Sequence, residues 1–155
     1  MLRNKYVYTK FLEENGITVP RSELFSDKSD LHLLLSQYKD QYVIVKNRYE
    51  SASIGMTDKN VFRLCQNSLQ HLNNLLKEMC TDSLLVQEYI DGIECEVLVL
   101  QYKGKYYALD PVQILFKTNL NFIDTDTSNT YNYEFKVIES SIKFLLQATA
   151  QKAAE

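Results

Sequence analysis

A few charged side chains stand where a phosphorylated ligand could use them. Lys46 closes the apolar run Tyr42-Val43-Ile44-Val45, and a six-residue polar loop then leads to Ser53-Ile54-Gly55-Met56. A lysine at the end of an apolar strand places its ammonium at an edge or cleft. A turn of small residues just after it can present backbone N–H groups to an anion, so the pair suits a polyphosphate. The same residues also read as a lysine reaching to water before an ordinary turn. Further on, Leu84 to Ile90 runs into Asp91-Gly92, with Glu94 two residues beyond the glycine. The edge of such a strand offers backbone groups that can read the rim of an adenine, and Glu94 can accept two hydrogen bonds from ribose hydroxyls. A strand, turn and strand with solvated acids is the plainer alternative. Lys136 ends the aromatic stretch Tyr131-Asn132-Tyr133-Glu134-Phe135, which by itself reads equally as an edge strand with a solvated lysine.

The elements that must position these residues mix helices and strand pairs without βαβ regularity, so the class expected is α+β. Asn4 caps a helix over 4–15 that stops at Gly16, with Val7, Phe11 and Leu12 on one face. Pro20 keeps Val19 extended. Glu23–Phe25 is a short strand. Leu31, Leu34, Leu35 and Tyr38 predict a helix over 30–38, and Tyr42–Lys46 is a buried β-branched strand. Phe62, Cys65, Leu69, Leu72, Leu76 and Met79 step by three and four, which predicts one core-facing helix over 60–79. Strands follow at Ser83–Ile90, Cys95–Tyr102 and Tyr106–Gln113, the last two forming a hairpin at Lys103-Gly104. A polar loop (118–130), a strand (131–136) and a helix over 137–152 with Ile138, Ile142, Leu145 and Ala148 inward complete the chain. The break at Asp91-Gly92 is the expected lobe boundary.

Of 155 residues, 45% are hydrophobic and 24% charged, a globular balance that excludes disorder. The net charge of −3 supplies no basic surface for a sequence-independent grip on nucleic acid. No run approaches the ~18 apolar residues of a membrane span, and no apolar signal core opens the chain. Cys65, Cys80 and Cys95 are odd in number and widely spaced, and only His32 and His71 could join them. A zinc site and a disulfide framework are both disfavoured. Buried, inert thiols in a reducing, cytoplasmic compartment are expected. Asp124 to Asn129 imitates the start of a calcium loop, but Asn129 replaces the required glycine and Glu134 arrives one residue early, so it reads as a loop.

Taken in order, V-I-V-K, S-A-S-I-G-M and V-Q-E-Y-I-D-G-I-E-C-E-V resemble the ATP-grasp superfamily, nearest to its D-alanine–D-alanine ligase group. Asn4-Lys5 with Gly16-Ile17-Thr18-Val19-Pro20 is similar to that group's D-K…G-I-x-V-P opening, and Tyr131–Lys136 to its Y-D-Y-E-x-K segment. The resemblance spans about 4–136. It implies two small α+β lobes with mainly antiparallel sheets and a nucleotide cleft between them. Residues 1–91 would form the N-terminal lobe with its opening helix, and 92–155 part of the C-terminal lobe. Lys5 and Lys46 would contact ATP phosphates, and Ser51, Ala52, Ser53, Ile54 and Gly55 would cover them. Gln87, Glu88, Tyr89 and Ile90 would line the adenine, Glu94 would hold the ribose, and Lys136 would act catalytically at the γ-phosphate or acyl-phosphate. The implied activity is an ATP-dependent carboxylate–amine ligase with an acyl-phosphate mechanism, taking an amino-acid or peptide substrate. No nucleic acid or membrane is implied as a partner, and a homodimer is compatible with it. Two alternatives stand beside it: another ATP-grasp amino-acid or peptide ligase, and a non-catalytic module that binds a nucleotide or a protein.

The sequence departs from the pattern in places. Asn4 replaces aspartate, Asn47 replaces proline, and Ser51-Ala52-Ser53 replaces G-S-S, which removes a glycine and a hydroxyl. In the family, two Mg²⁺ ions are held by an aspartate and an E-x-N pair on later strands. No such pattern occurs here, so no metal ligands are assigned, and the chain is expected to stop before those strands and to be inactive alone.

Overall fold

A computed structural model describes residues 4–50, 55–117 and 132–155. Its first sheet takes strands β1 (Ser22–Phe25), β2 (Tyr42–Asn47), β3 (Val61–Arg63) and β4 (Leu84–Glu88) in the order β1-β4-β2-β3, all antiparallel. Alternation along these strands makes two different faces. Phe25, Val43, Val45, Leu84 and Val86 point one way, against Leu34 and Tyr38 of α2 (Leu31–Tyr38) and Leu72 and Leu75 of α3 (Leu69–Glu78), and form the main core. Each such burial contributes about 1.5–3 kcal/mol. Ser22, Ile44, Lys46, Leu85 and Gln87 point to the opposite face.

Helix α1 (Lys5–Glu14) begins as read, with the Val7 amide donating to Asn4 Oδ1 at 3.3 Å. It ends in a Schellman turn: the Gly16 amide bonds to Glu13 O at 2.9 Å and the Ile17 amide to Leu12 O at 3.0 Å. Gly16 has φ +69°, which an L-residue with a Cβ rarely adopts. Val7 and Phe11, however, face solvent rather than the interior.

The helix expected over 60–79 is shorter and begins later. Its first third is two tight 3₁₀ turns (Asp58–Asn60 and Gln66–Ser68) around strand β3. Val61-Phe62-Arg63 pair with the open edge of β2, and the fully buried Asn60 donates from Nδ2 to Val45 O at 2.8 Å. The edge of β2 outweighed a helical spacing that Phe62 and Cys65 share by coincidence. The expected strand pair 95–102 and 106–113 likewise divides. Strands β5 (Cys95–Glu96), β8 (Val112–Phe116) and β9 (Tyr133–Val137) form one antiparallel sheet, and β6 (Val99–Tyr102) with β7 (Lys105–Ala108) form a separate ribbon.

The last helix, α4 (Ile142–Ala154), starts five residues later than read. Gln147 Nε2 donates to Leu109 O at 3.2 Å, Lys143 pairs with Asp110 at 2.7 Å, and Lys152 Nζ reaches Gly16 O at 3.1 Å. Ile142 and Leu145 were expected inward but are 48% and 65% exposed. The thiols also differ from expectation: Cys80 is exposed, Cys65 and Cys95 are half-buried, and all three are free. No helix among the described residues is long and apolar enough to cross a membrane.

Candidate functional site

The polar face of the first sheet gathers the cations. Lys46, near the end of β2, donates from Nζ to Gln87 Oε1 on β4 at 2.9 Å. Lys5, at the start of α1, is anchored to the turn after β2. Its amide bonds to Arg48 O at 2.9 Å, and its ammonium donates to Asn47 O at 2.9 Å and to Glu50 O. Lys5 therefore braces that turn as well as lending it charge. The turn is held from below by Asn47, whose Oδ1 accepts from the Tyr49 amide at 2.9 Å while its Nδ2 reaches Met79 O at 3.3 Å.

Glu94 faces this group from the connection between β4 and β5. Burial lowers the Lys46 pKa, the neighbouring Lys5 lowers it further, and Glu94 opposes both. Burial raises the Glu94 pKa, Lys46 pulls it back, and Glu96 adds to the rise. Lys5 is also held below its ordinary value, by burial, with Glu50 opposing. Lys46 and Glu94 thus influence each other electrostatically, and they form no ion pair among the described residues. On both, burial outweighs the mutual attraction. Burial together with a specific charge partner is the pattern that marks candidate functional groups.

The strand end between them divides by side. Tyr89 packs on Ile44 and Met56, on the face that carries Lys46. Burial first, and then Asp91 and Glu94, raise its pKa. Ile90 is 64% exposed. Glu88 turns its side chain the other way: its carboxylate accepts from Arg21 Nε at 2.8 Å and from the Arg21 amide at 3.0 Å, and its own amide donates to Arg21 O at 3.0 Å. The Arg21 guanidinium continues to Gln37 O and Gln41 Oε1 and lies over the Tyr38 ring. The backbone amide of Glu88 is therefore engaged within the fold. Gln87, expected to line the base, has its amide oxygen on Lys46.

The other predicted positions are more scattered. Gly55 has φ +76°, which a residue with a Cβ rarely adopts, and it lies close to Met79. Ser51, Ala52, Ser53 and Ile54 lie outside the described residues, as do Tyr131 and the loop of Asp124 to Asn129. Lys136 is exposed on β9, opposite Gln113, and its side chain makes no hydrogen bond or ion pair among the described residues. Among the described residues there is no cluster of three or more His, Cys, Asp or Glu that could hold a metal ion. A separate groove of about 540 Å³ runs between the end of α1 and α4, lined by Gly16, Ile17, Thr18, Cys95, Leu146 and Ala150 among others. It includes neither Lys46 nor Glu94 and is mostly apolar. The residues that sequence reasoning missed are Ser22 and Arg21, which brace Gln87 and Glu88. Their importance comes from a strand register that no local pattern shows.

Against known proteins, the RimK-like ATP-grasp domain matches residues 2–104, about two thirds of the chain and the whole of the Lys46–Glu94 constellation. The chain belongs to this ATP-grasp family. The bifunctional glutathione biosynthesis protein GshAB of Streptococcus agalactiae is 28% identical over 101 residues, which is 64% of this chain and 13% of that protein. Among solved structures, VanG D-Ala:D-Ser ligase of Enterococcus faecalis superposes with TM-score 0.69 at 17% identity, covering 97% of this chain and 43% of that one. The D-alanine–D-alanine ligase of Bacillus anthracis complexed with ATP gives 0.61 at 15%, covering 98% and 44%. The α+β ATP-grasp fold with antiparallel sheets is shared throughout, and this chain spans less than half the length of any of these proteins.

Proposed function

We propose that this chain is the nucleotide-binding region of an ATP-dependent carboxylate–amine ligase, of the kind that joins amino acids or peptides. The observation that carries this reading is the facing pair Lys46 and Glu94, on either side of the strand end that continues from Gln87 to Ile90. In this reading residues 1–91 are one lobe, 92–155 belong to a second, and ATP lies between them. Lys46 and Lys5 bind its phosphates, with Gly55 and the loop before it closing over them. Tyr89 and Ile90 pack on the base, which leaves the Glu88 carbonyl rather than its amide to read the edge. Glu94 accepts from the ribose hydroxyls.

ATP supplies the phosphoryl group that activates a carboxylate for attack by an amine. The residues of this chain bind, orient and offset charge. Lys136 is proposed to meet the transferred phosphate, which requires β9 to approach Lys46. Binding without turnover is the behaviour proposed for this stretch, whose sequence lacks the aspartate and E-x-N pair expected from the family resemblance. The D-alanine–D-alanine specificity is the finer proposal, motivated by the motif order. GshAB, a glutathione biosynthesis protein, motivates a γ-glutamyl peptide substrate as the rival.

Calorimetric titration with ATP, without added metal, tests the reading. Binding to the unaltered chain, weakened at least tenfold by Lys46→Ala in a variant that stays folded, is the expected result. Absence of ATP binding by the folded, unaltered chain would end the nucleotide reading.

A further inference from the structure

The Lys46 ammonium is the terminus of a three-step chain of hydrogen bonds that begins in the backbone. Ser22 Oγ donates to Pro20 O at 2.8 Å, Gln87 Nε2 donates to Ser22 Oγ at 2.9 Å, and Lys46 Nζ donates to Gln87 Oε1 at 2.9 Å. The direction of every bond is forced. A carbonyl can only accept, so the Ser22 proton points at Pro20. The Ser22 oxygen then has only lone pairs to offer Gln87, which must turn its NH₂ toward the serine and its carbonyl oxygen toward the lysine. An ammonium can only donate, so it fits that end and no other. Ser22 is 3% exposed and Gln87 8%, so water has little access to either. The register Ser22↔Gln87 of β1 on β4, with Ile44↔Gln87 of β2 on β4, puts all three side chains on one face of the sheet.

We infer that Ser22 and Gln87 are positioning residues, which lock the amide of Gln87 in the one orientation that holds the Lys46 ammonium toward the crevice. The inference deepens the reading of Lys46 as an anion-binding group and names residues outside the motifs that suggested it. Without the Ser22 hydroxyl the Gln87 amide is free to turn over, and its NH₂ would then face the ammonium. Lys46 would lose its acceptor in a site where burial and the Lys5 charge from α1 already oppose protonation, and where, among the described residues, Glu94 before β5 is the charge that favours it. Glu50 acts on Lys5 rather than on Lys46 directly.

The test is an NMR titration of Lys46 through its side-chain ¹³Cε and ¹⁵Nζ resonances, in the ligand-free chain and in Ser22→Ala, Ser22→Thr and Gln87→Met, each checked for folding by its amide spectrum. The Lys46 midpoint is expected to fall by about half a pH unit or more in Ser22→Ala and Gln87→Met, about a threefold change in the protonation equilibrium, and to return in Ser22→Thr, which keeps the hydroxyl. ATP affinity on its alkaline limb is expected to fall by up to about threefold in Ser22→Ala, with that limb shifted to lower pH, and to recover in Ser22→Thr. A purely structural serine would change stability without moving the Lys46 midpoint. An unchanged midpoint in folded Ser22→Ala, or an equal fall in Ser22→Ala and Ser22→Thr, overturns the relay whether or not ATP binds. A moved midpoint with no ATP binding by the unaltered chain upholds the relay and removes the nucleotide reading instead.

Discussion

The first sheet and the second half of the chain are built to different degrees of closure. Between β1 and β4 a sheet has helices on one face, and Phe25, Leu34, Tyr38, Val43, Val45 and Val86 are fully buried. Beyond Ile90, the described residues bury one large hydrophobic residue, Ile114 at 3% exposure. Leu98, Leu100 and Tyr102 of the β6 ribbon share an exposed face with Tyr107 and Leu109, while Phe135 on β9 and Phe144 on α4 are 56% and 75% exposed. A domain needs two packed layers around one core. The first half has both. The second presents an apolar layer with one side open, a patch of the kind that marks an interaction surface. Lys46 belongs to the closed first sheet, and Glu94 lies just before β5 in the more open half, so in the proposed reading the two halves share the nucleotide.

Core truncation should separate the halves most sharply. Phe25→Ala should cost about 3–5 kcal/mol and threaten the fold outright, whereas Ile114→Ala, with few neighbours to lose, should cost about 2 kcal/mol or less. Denaturant unfolding of both variants measures the difference, and equal losses would break the comparison. Hydrogen exchange sharpens it: amides of β2 and β4 should open only with global unfolding, and those of β8 and β9 at lower free energy. Next in size is Asn60→Ala. It strands the Val45 carbonyl and the Thr57 amide, which Asn60 satisfies at 2.8 Å each, and should cost about 1–3 kcal/mol, read from the same unfolding curves.

The smallest effect belongs to the brace behind the strand end. Burial raises the Glu88 pKa, but its hydrogen bonds to the Arg21 side chain and amide outweigh that and hold it below the ordinary carboxylate range. A depressed acid stabilises the fold above its unfolded pKa, and the benefit is lost as pH falls through the folded value. Glu88→Gln should therefore cost no more than about 1 kcal/mol at neutral pH, since both partners are partly exposed. The difference from the unaltered chain should shrink below about pH 4 and vanish at lower pH. A pH-independent difference would show that the pair adds shape and no charge.

How much of this was legible in the sequence follows the same division. The strand Tyr42–Lys46, the stop at Gly16 and the α2 stripe could be read because local pattern and tertiary role agree there. The false helix over 60–68 arose because Phe62 and Cys65 fall at helical spacing, while the deciding force, the free edge of β2, is non-local. The inward face assigned to α4 failed for a related reason: Ile142 and Leu145 have an amphipathic pattern, but no layer among the described residues covers them. Of the candidate site, Lys46 and Glu94 are proposed from motif order alone. The orientation of Gln87 could not be read that way, because it depends on Ser22 sixty-five positions away. Nor could the committed amide of Glu88, because Arg21 reaches it only across the β1–β4 register.

The central claim is that Lys46 and Glu94 line one nucleotide slot. A ¹⁵N amide NMR titration of the chain with ATP tests it most directly. The account predicts that the resonances of Lys46, Gly55, Tyr89, Ile90 and Glu94 shift together along a single saturable curve. Shifts confined to one of the two sides, or gathered instead around the α1–α4 groove, would contradict it.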